Sequence, residues 1–191
     1  MIELKNVYFS YDNLPVLKDF SLTVNDGECV CITGPSGCGK TTVLKLILGL
    51  IKQDSGKIIA PKKISTVFQE DRLLSQFSLQ KNIFLPLDQT QQKKALSLIE
   101  EADLGDFLNK KVRHFSGGMK RRAAIIRAVA FDGEALILDE PFNALDLENK
   151  QRMANIIKRE FLDKGKPVLM VSHIADDTKL LNARTVEMNV L

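Results

Sequence analysis

Apolar residues along this chain recur at two spacings, and the spacing switches as the chain proceeds. The opening stretch IELKNVYFSY alternates loosely between apolar and polar residues, the pattern of a half-buried strand. VLKDFSLTVNDGECVCITG adds two further strand-like runs about a turn at Asn25, Asp26 and Gly27. A helix then starts inside GKTTVLKLILGLI, where Val43, Leu44, Ile47, Leu48 and Ile51 fall at helical spacing. Gly56 closes a turn, and GKIIAPKKISTVFQ reads as two short strands. From Asp71 to about Ala130 the helical spacing dominates. Ala95, Leu98, Ile99 and Ala102 form one stripe that Gly105 breaks, and Met119, Ala123, Ile126 and Ala130 keep helical register in the next. Strand signals return with ALILDEP, an apolar run ending in two acids. An amphipathic helix, ENKQRMANIIKREFLDKG, ends near Gly165; the buried run PVLMVSH follows, and ARTVEMNVL is the last expected strand.

Strands that are apolar throughout are buried on both faces, and their alternation with helices predicts a parallel sheet with helices on both sides. The helical middle then reads as an insertion. Residues 1–69 and 131–191 make an α/β core with a β lobe, and residues 70–130 make a helical part, all within one domain. There is no internal repeat and no low-complexity linker.

Composition narrows the reading. The chain has 191 residues, 45% of them hydrophobic and 27% charged, which is ordinary for a globular domain with a sizeable core. A net charge of +3 permits contact with anions but does not announce a nucleic-acid binder, so no nucleic-acid partner is expected. VLKLILGLI is short and carries Lys45, so no membrane-spanning helix is expected, and MIELKNVYFSYD does not read as a signal peptide. The expected location is the cytoplasm, where thiols stay reduced. All three cysteines, Cys29, Cys31 and Cys38, lie within CVCITGPSGCGKTT, without a CxxC, and the only histidines are the distant His114 and His173. A zinc site or disulfide is therefore not expected. Cys29 and Cys31 should share one strand face as small core hydrophobes.

The chemistry lies elsewhere in the same stretch. GPSGCGKT, residues 34–41, fits G-x-x-x-x-G-K-[ST] and sits between an apolar strand and a helix, the context this motif requires. Its glycines let successive backbone N–H groups converge on phosphate oxygens, and the helix N-terminus adds its dipole. Gly34, Pro35, Ser36, Gly37, Cys38, Gly39, Lys40, Thr41 and Thr42 are thus candidate nucleotide contacts. Lys40 would reach the β- and γ-phosphates and the Thr41 hydroxyl would bind Mg²⁺. The Cys38 thiol is expected beside the phosphate, open to alkylation and protected by ATP. In ALILDEP, Asp139 can hold Mg²⁺ through water, and Glu140 can orient and polarise a water against the γ-phosphate. Ser116, Gly117 and Gly118 precede a long helix and offer a second set of bare N–H groups with a hydroxyl. One nucleotide cannot readily use two anion sites on separate lobes of one subunit, whereas two subunits packed head to tail can share two nucleotides. The basic run Lys120, Arg121, Arg122 has no interleaved aromatics and reads as a solvated helix face.

Taken in order, Tyr11, the loop at residues 34–41, Gln69, FSGGM, Asp139 with Glu140, NALD and His173 resemble the ATPase subunits of ATP-binding cassette (ABC) transporters, over nearly the whole chain. The resemblance implies a fold of class α/β: a P-loop NTPase core with an N-terminal antiparallel β lobe and an inserted α-helical subdomain. It implies ATP and Mg²⁺ as cofactors, with Glu140, His173, Gln69 and Lys40 catalytic and Thr41, Gln69 and Asp139 around the metal. Tyr11 would stack on adenine. Gln69 would contact Mg²⁺ and the attacking water while sensing a membrane partner. Ser116, Gly117 and Gly118 would contact the nucleotide of the opposite subunit, Asp146 would bridge the two sites, and His173 would hold the γ-phosphate and Glu140. The implied partners are a second ATPase subunit, identical or not, integral membrane permease subunits and a solute-binding protein, with the chain peripheral on the inner face of the cell membrane. Phe115 and Met119 replace the ends of the usual Leu-Ser-Gly-Gly-Gln signature. Met119 and FQEDRLLSQFSLQKNIFLPL are similar to the bacterial nitrate, sulfonate and taurine importer subgroup, although its tryptophan and Thr-Val are not found near residues 77–79. Two other readings stand beside the importer: a soluble ABC-type ATPase without a transport role, and a P-loop small-molecule kinase, which leaves FSGGM and His173 unexplained.

Overall fold

A computed structural model describes residues 1–190. The chain runs β1 (Ile2–Tyr11), β2 (Leu14–Val24), β3 (Cys29–Thr33), α1 (Lys40–Ile47), β4 (Ser55–Ile59) and β5 (Ile64–Val67). It continues with α2 (Leu79–Phe84), α3 (Gln89–Glu101), α4 (Gly117–Ala130), β6 (Ala135–Asp139), α5 (Leu147–Glu160), β7 (Val168–Val171), α6 (Ala175–Leu180) and β8 (Arg184–Glu187). Two sheets result. β2, β1 and β4 form an antiparallel lobe in that order, and β5-β6-β7-β3-β8 form a parallel sheet. The two short strands expected in GKIIAPKKISTVFQ are present but join different sheets, β4 the lobe and β5 the edge of the parallel sheet.

The parallel strands divide their side chains by the period of two. Val30 and Ile32 of β3, Ala135 and Ile137 of β6, and Leu169 and Val171 of β7 pack with α1 and the β lobe. Cys29 and Cys31, Leu136 and Leu138, and Val168 and Met170 pack on the other face with α2, α3, α4 and α5. Cys29 and Cys31 therefore do lie on one strand face, as free thiols. Burial pushes the Cys29 thiol up to about 12 and the Cys31 thiol up to about 11, which makes both inert.

Local signals start the helices. Ser78, Asp88, Ser116 and Asp146 each accept a hydrogen bond from the backbone N–H three residues on, and Asp88 with Gln91 forms a reciprocal capping box. α6 carries no comparable period because it is six residues long with only Asp177 buried, and the sequence reading did not anticipate it.

α4 departs most from expectation. It is enclosed by α2, α3, α5 and β5, and residues 121–126 are all buried. The run Lys120–Arg122 is therefore not a solvated face: Arg121 is 3% exposed and Arg122 is 9% exposed. Arg122 donates to the carbonyls of Ala102 at 2.5 Å and Asp103 at 3.3 Å, closing the C-terminal end of α3.

A second charged cluster ties α3 to α5. The buried Glu160 carboxylate receives Lys94 Nζ and Lys164 Nζ at 2.7 Å each and Arg159 Nε at 3.0 Å, while Arg159 also forks onto Glu101. Burial pushes the Glu160 carboxyl up, but the bonds from Lys164, Lys94 and Arg159 outweigh it and bring the pKa to about 2. The unfolded chain therefore takes up this proton first as pH falls. The stabilisation is complete above the ordinary value of 4.5 and is lost progressively toward about 2. Glu160→Gln is expected to cost about 1–2 kcal/mol at neutral pH, between exposed and buried ion pairs. The penalty should shrink toward zero near pH ~2 in denaturant melts. A penalty independent of pH would show that the carboxylate charge is not what holds this joint.

Candidate active site

The phosphate loop is shaped by contacts only glycine permits. Gly34 has φ +142°, and a Cβ there would lie 2.2 Å from the carbonyl oxygen of Met188. Gly39 precedes α1 at φ +103°, where a Cβ would come within 3.0 Å of Val16 Cγ1. α1 then begins at Lys40, whose ammonium turns back into the loop and donates to the carbonyls of Gly34 at 2.7 Å and Pro35 at 2.8 Å. The loop thus holds a positive charge at its own centre beside a helix N-terminus.

Cys38 corrects one expectation in part: its Sγ lies 3.7 Å from Lys40 Nζ, as a thiol within the loop should, but it is closed off from the cavity. Its thiol is 3% exposed and packs beneath the loop with the cluster that contains Val43, Leu17 and Met188. Its N–H donates to Pro35 O at 3.4 Å, closing the turn. The side chain does not line the cavity above the loop, and neither does that of the exposed Pro35. Gly37 and Gly39 on either side both take positive φ.

That cavity has a volume of about 590 Å³. Lys40, Thr41, Thr42, Gly34, Ser36, Gly37 and Gly39 line its floor, and Tyr11, Gln69, Asp139, Glu140 and His173 complete it. Tyr11 is 41% exposed and braced edge-on by Phe9 at 4.7 Å between ring centres. A flat ring held this way offers a free face to a planar ligand. Val16, Asn143 and Val171 also line the cavity. The sequence reading missed all three: Val16 and Val171 look like any strand residue, and Asn143 lies in NALD without a signal of its own.

The acids sit at the end of β6. Glu140 follows Asp139 at φ +51°, a left-handed conformation costing a non-glycine residue roughly 1–3 kcal/mol. Its N–H donates to Val171 O at 2.9 Å. Its carboxylate Oε1 lies 2.9 Å from His173 Nδ1, while Oε2 is buried without a hydrogen-bond partner. A buried carboxylate oxygen left unpaired is costly and marks a place for a donor such as water. Burial and the neighbouring Glu140 charge push the Asp139 carboxyl up, against the pull of Arg121 and Lys40. The residue before His173 is anchored: Ser172 donates to the buried Asp177 carboxylate at 3.2 Å, and Lys150 of α5 pairs with the same carboxylate at 2.8 Å.

Ser116, Gly117, Gly118 and Asp146 lie outside the cavity. The Ser116 hydroxyl accepts the Met119 N–H at 3.3 Å, and Gly118 packs so closely that a Cβ would lie 3.0 Å from Ala144 O. Asp146 caps α5 by accepting the Asn149 N–H at 2.8 Å.

The family model described as ABC transporter matches residues 17–143, more than half of the chain. The chain belongs to the ABC transporter family. It is 36% identical to the spermidine/putrescine import ATP-binding protein PotA of Mycoplasma capricolum over 99% of its own length and 59% of that protein's. It is 34% identical to the aliphatic sulfonates import ATP-binding protein SsuB 1 of Shouchella clausii, over 96% of this chain and 75% of that protein. A bacterial ABC transporter cassette solved as a dimer superposes with a TM-score of 0.87 at 30% identity, covering 99% of this chain and 94% of the other. The chain thus spans 59% of the length of PotA, the first of these curated relatives. Antiparallel lobe, parallel sheet and phosphate loop together give this ABC cassette the fold class expected from its sequence, α/β with a P-loop core.

All three cysteines of the cassette are buried. A thiol reagent such as Ellman's is expected to find no fast-reacting thiol in the native protein and three after guanidinium unfolding. One thiol reacting at the rate of a free small-molecule thiol, and protected by ATP, would place Cys38 in the cavity instead.

Proposed function

We propose that the chain binds and hydrolyses ATP as the nucleotide-binding subunit of an ABC importer. One observation carries the proposal: Glu140, paired to His173 and retaining a buried unpartnered oxygen, lines the same cavity as Lys40 and Thr41. The loop N–H groups and Lys40 bind the phosphates, and Tyr11 offers its ring to the base. Glu140 orients a water through the free oxygen and receives its proton as the water oxygen bonds to the γ-phosphorus, while the bond from that phosphorus to the β–γ bridging oxygen breaks and ADP leaves with its electron pair. His173 Nδ1 fixes the other oxygen, so the carboxylate meets the water in one orientation.

The residues present also suit Mg²⁺. Thr41, Asp139 and Gln69, which carry a hydroxyl, a carboxylate and an amide oxygen, line one cavity. Three hard oxygen donors with one clear charge fit an ion that keeps several waters and takes phosphate oxygens as further ligands. When bound, Mg²⁺ supplies charge neutralisation on the β- and γ-phosphates.

The position of Ser116, Gly117 and Gly118 outside the cavity supports their use on a nucleotide held by a second subunit, with Asp146 near the seam. The dimeric state of the solved relative supports the same arrangement. The import proteins PotA and SsuB 1 support permease subunits as partners, a solute-binding protein in the same system, and a position on the inner face of the membrane. Among the described residues no helix is long and apolar enough to cross a membrane. The solutes named for these relatives, a polyamine and a sulfonate, differ in charge, so the choice of solute belongs to the partners.

Glu140→Gln is expected to bind ATP, to accumulate as an ATP-dependent dimer on gel filtration, and to hydrolyse about 100-fold more slowly or worse. Lys40→Ala should instead lose about ten- to a hundredfold in ATP affinity, as for lost hydrogen bonds to a charged group. Near-normal phosphate release by Glu140→Gln would remove Glu140 from the assigned role.

A further inference from the structure

We infer that Arg121 is a positioning residue that holds Gln69 and Glu140 in one fixed frame, an inference that rests on the ATPase reading of the cavity. Arg121 lies in the second turn of α4, and its side chain is 4% exposed. Its side chain does not line the cavity, yet every nitrogen of its guanidinium donates to backbone of residues that do or that adjoin them. Nε donates to Pro141 O at 2.9 Å, and Nη2 donates to Asp139 O at 2.5 Å and Glu140 O at 2.6 Å. Nη1 donates to Phe68 O at 2.6 Å, more weakly to Gln69 O at 3.4 Å, and to Asp71 Oδ1 at 3.1 Å.

One planar cation therefore binds the end of β6 on one edge and the segment after β5 on the other. Both need holding. Glu140 sits at a positive φ, with its N–H taken by Val171 and its carbonyl by Arg121. Gln69 is exposed on irregular chain beyond the last residue of β5. Arg127, on the same helix, holds two carbonyls a little further on, those of Asp71 and Arg72, at 2.8 Å each. The guanidinium's fixed fork suits this task, since a lysine ammonium carries three donors at a single point and cannot span the two edges. The rest of the nucleotide cradle, from Gly34 to Thr42 and Tyr11, makes no contact with Arg121, so its removal should disturb the reacting geometry and leave ATP affinity alone.

The test is steady-state ATP hydrolysis by the full chain. Arg121→Lys is expected to lower kcat about ten- to a hundredfold, the scale of an ångström of misplacement, with KM for ATP within about twofold and ATP-dependent dimerisation retained. Asp71→Ala, which removes one acceptor from the partly exposed rim, should lower kcat a few-fold at unchanged KM. It should add little to Arg121→Lys in the double variant, because both act through one contact set. An unchanged kcat in Arg121→Lys, or a kcat loss matched by lost ATP affinity, overturns the inference. If Arg121→Lys does not fold, an unchanged kcat in Asp71→Ala overturns it instead. Wild-type chain that binds ATP and releases no phosphate would overturn the ATPase reading itself, whereas active wild type with an unimpaired Arg121→Lys overturns only the role of Arg121.

Discussion

Parallel pairing in level register is the constraint on which the site depends. Ile32 of β3 and Asp139 of β6 both pair with Val171 of β7, so the three strands finish at one edge. Because the strands are parallel, each sends its following residues out over that edge. The phosphate loop after β3, Asp139 and Glu140 at the end of β6, His173 after β7 and Gln69 after β5 converge there from positions more than a hundred residues apart. Shifting β6 by one residue would exchange the side chains of its two buried faces and carry both acids away from the loop.

The site then has to keep charge on groups that are partly or, for Asp139 and Glu140, largely buried. Lys40 is met by loop carbonyls, Glu140 by one imidazole nitrogen, and Asp139 by the more distant Arg121 and Lys40. None of these arrangements is saturated: Glu140 keeps a free oxygen, and the Lys40 bonds to neutral carbonyls are ones that phosphate oxygens, being charged, would replace with stronger bonds. The Glu160 cluster is the contrast. There one carboxylate is satisfied by three cations, and it joins two helices without opening onto the cavity. The same residue types serve cohesion where every group is satisfied and chemistry where some are left waiting.

How much was legible in the sequence follows from how local each cause is. The loop at residues 34–41 was readable because its glycines answer local steric needs, and the acids of ALILDEP because an apolar run announces a buried strand and its end. Tyr11, Gln69 and His173 were readable only as members of an ordered set, since each acts through contacts far away in sequence. The arginines were misread because Met119, Ala123, Ile126 and Ala130 suggested a single buried stripe. AAIIRAVA in fact places apolar residues all round α4, the mark of an enclosed helix, and an arginine inside it must find backbone acceptors. Cys38 was misplaced because position in a loop does not say which way a side chain turns. β4 and β5 parted company because pairing partners, rather than strand signals, decide which sheet a strand joins.

The turn between β6 and α5 ties these parts together. Phe142, fully buried, anchors it, with Asn143 N–H donating to Glu140 O and Leu145 N–H to Phe142 O at 3.3 Å each. From this short segment Glu140 and Asn143 reach the cavity, Ala144 supports Gly118, and Asp146 caps α5. α5 in turn supports the residue beside His173 through Lys150, Asp177 and Ser172. Ser116 and Glu140 thus belong to one packed unit although Glu140 lines the cavity and Ser116 lies outside it. Close packing passes displacement on where a loose loop would absorb it. A group that pressed on the turn at Ser116 would bear, through Gly118 and Ala144, on the same backbone that holds Glu140 at its strained φ, so contact on the outer face and geometry at the inner one are not independent.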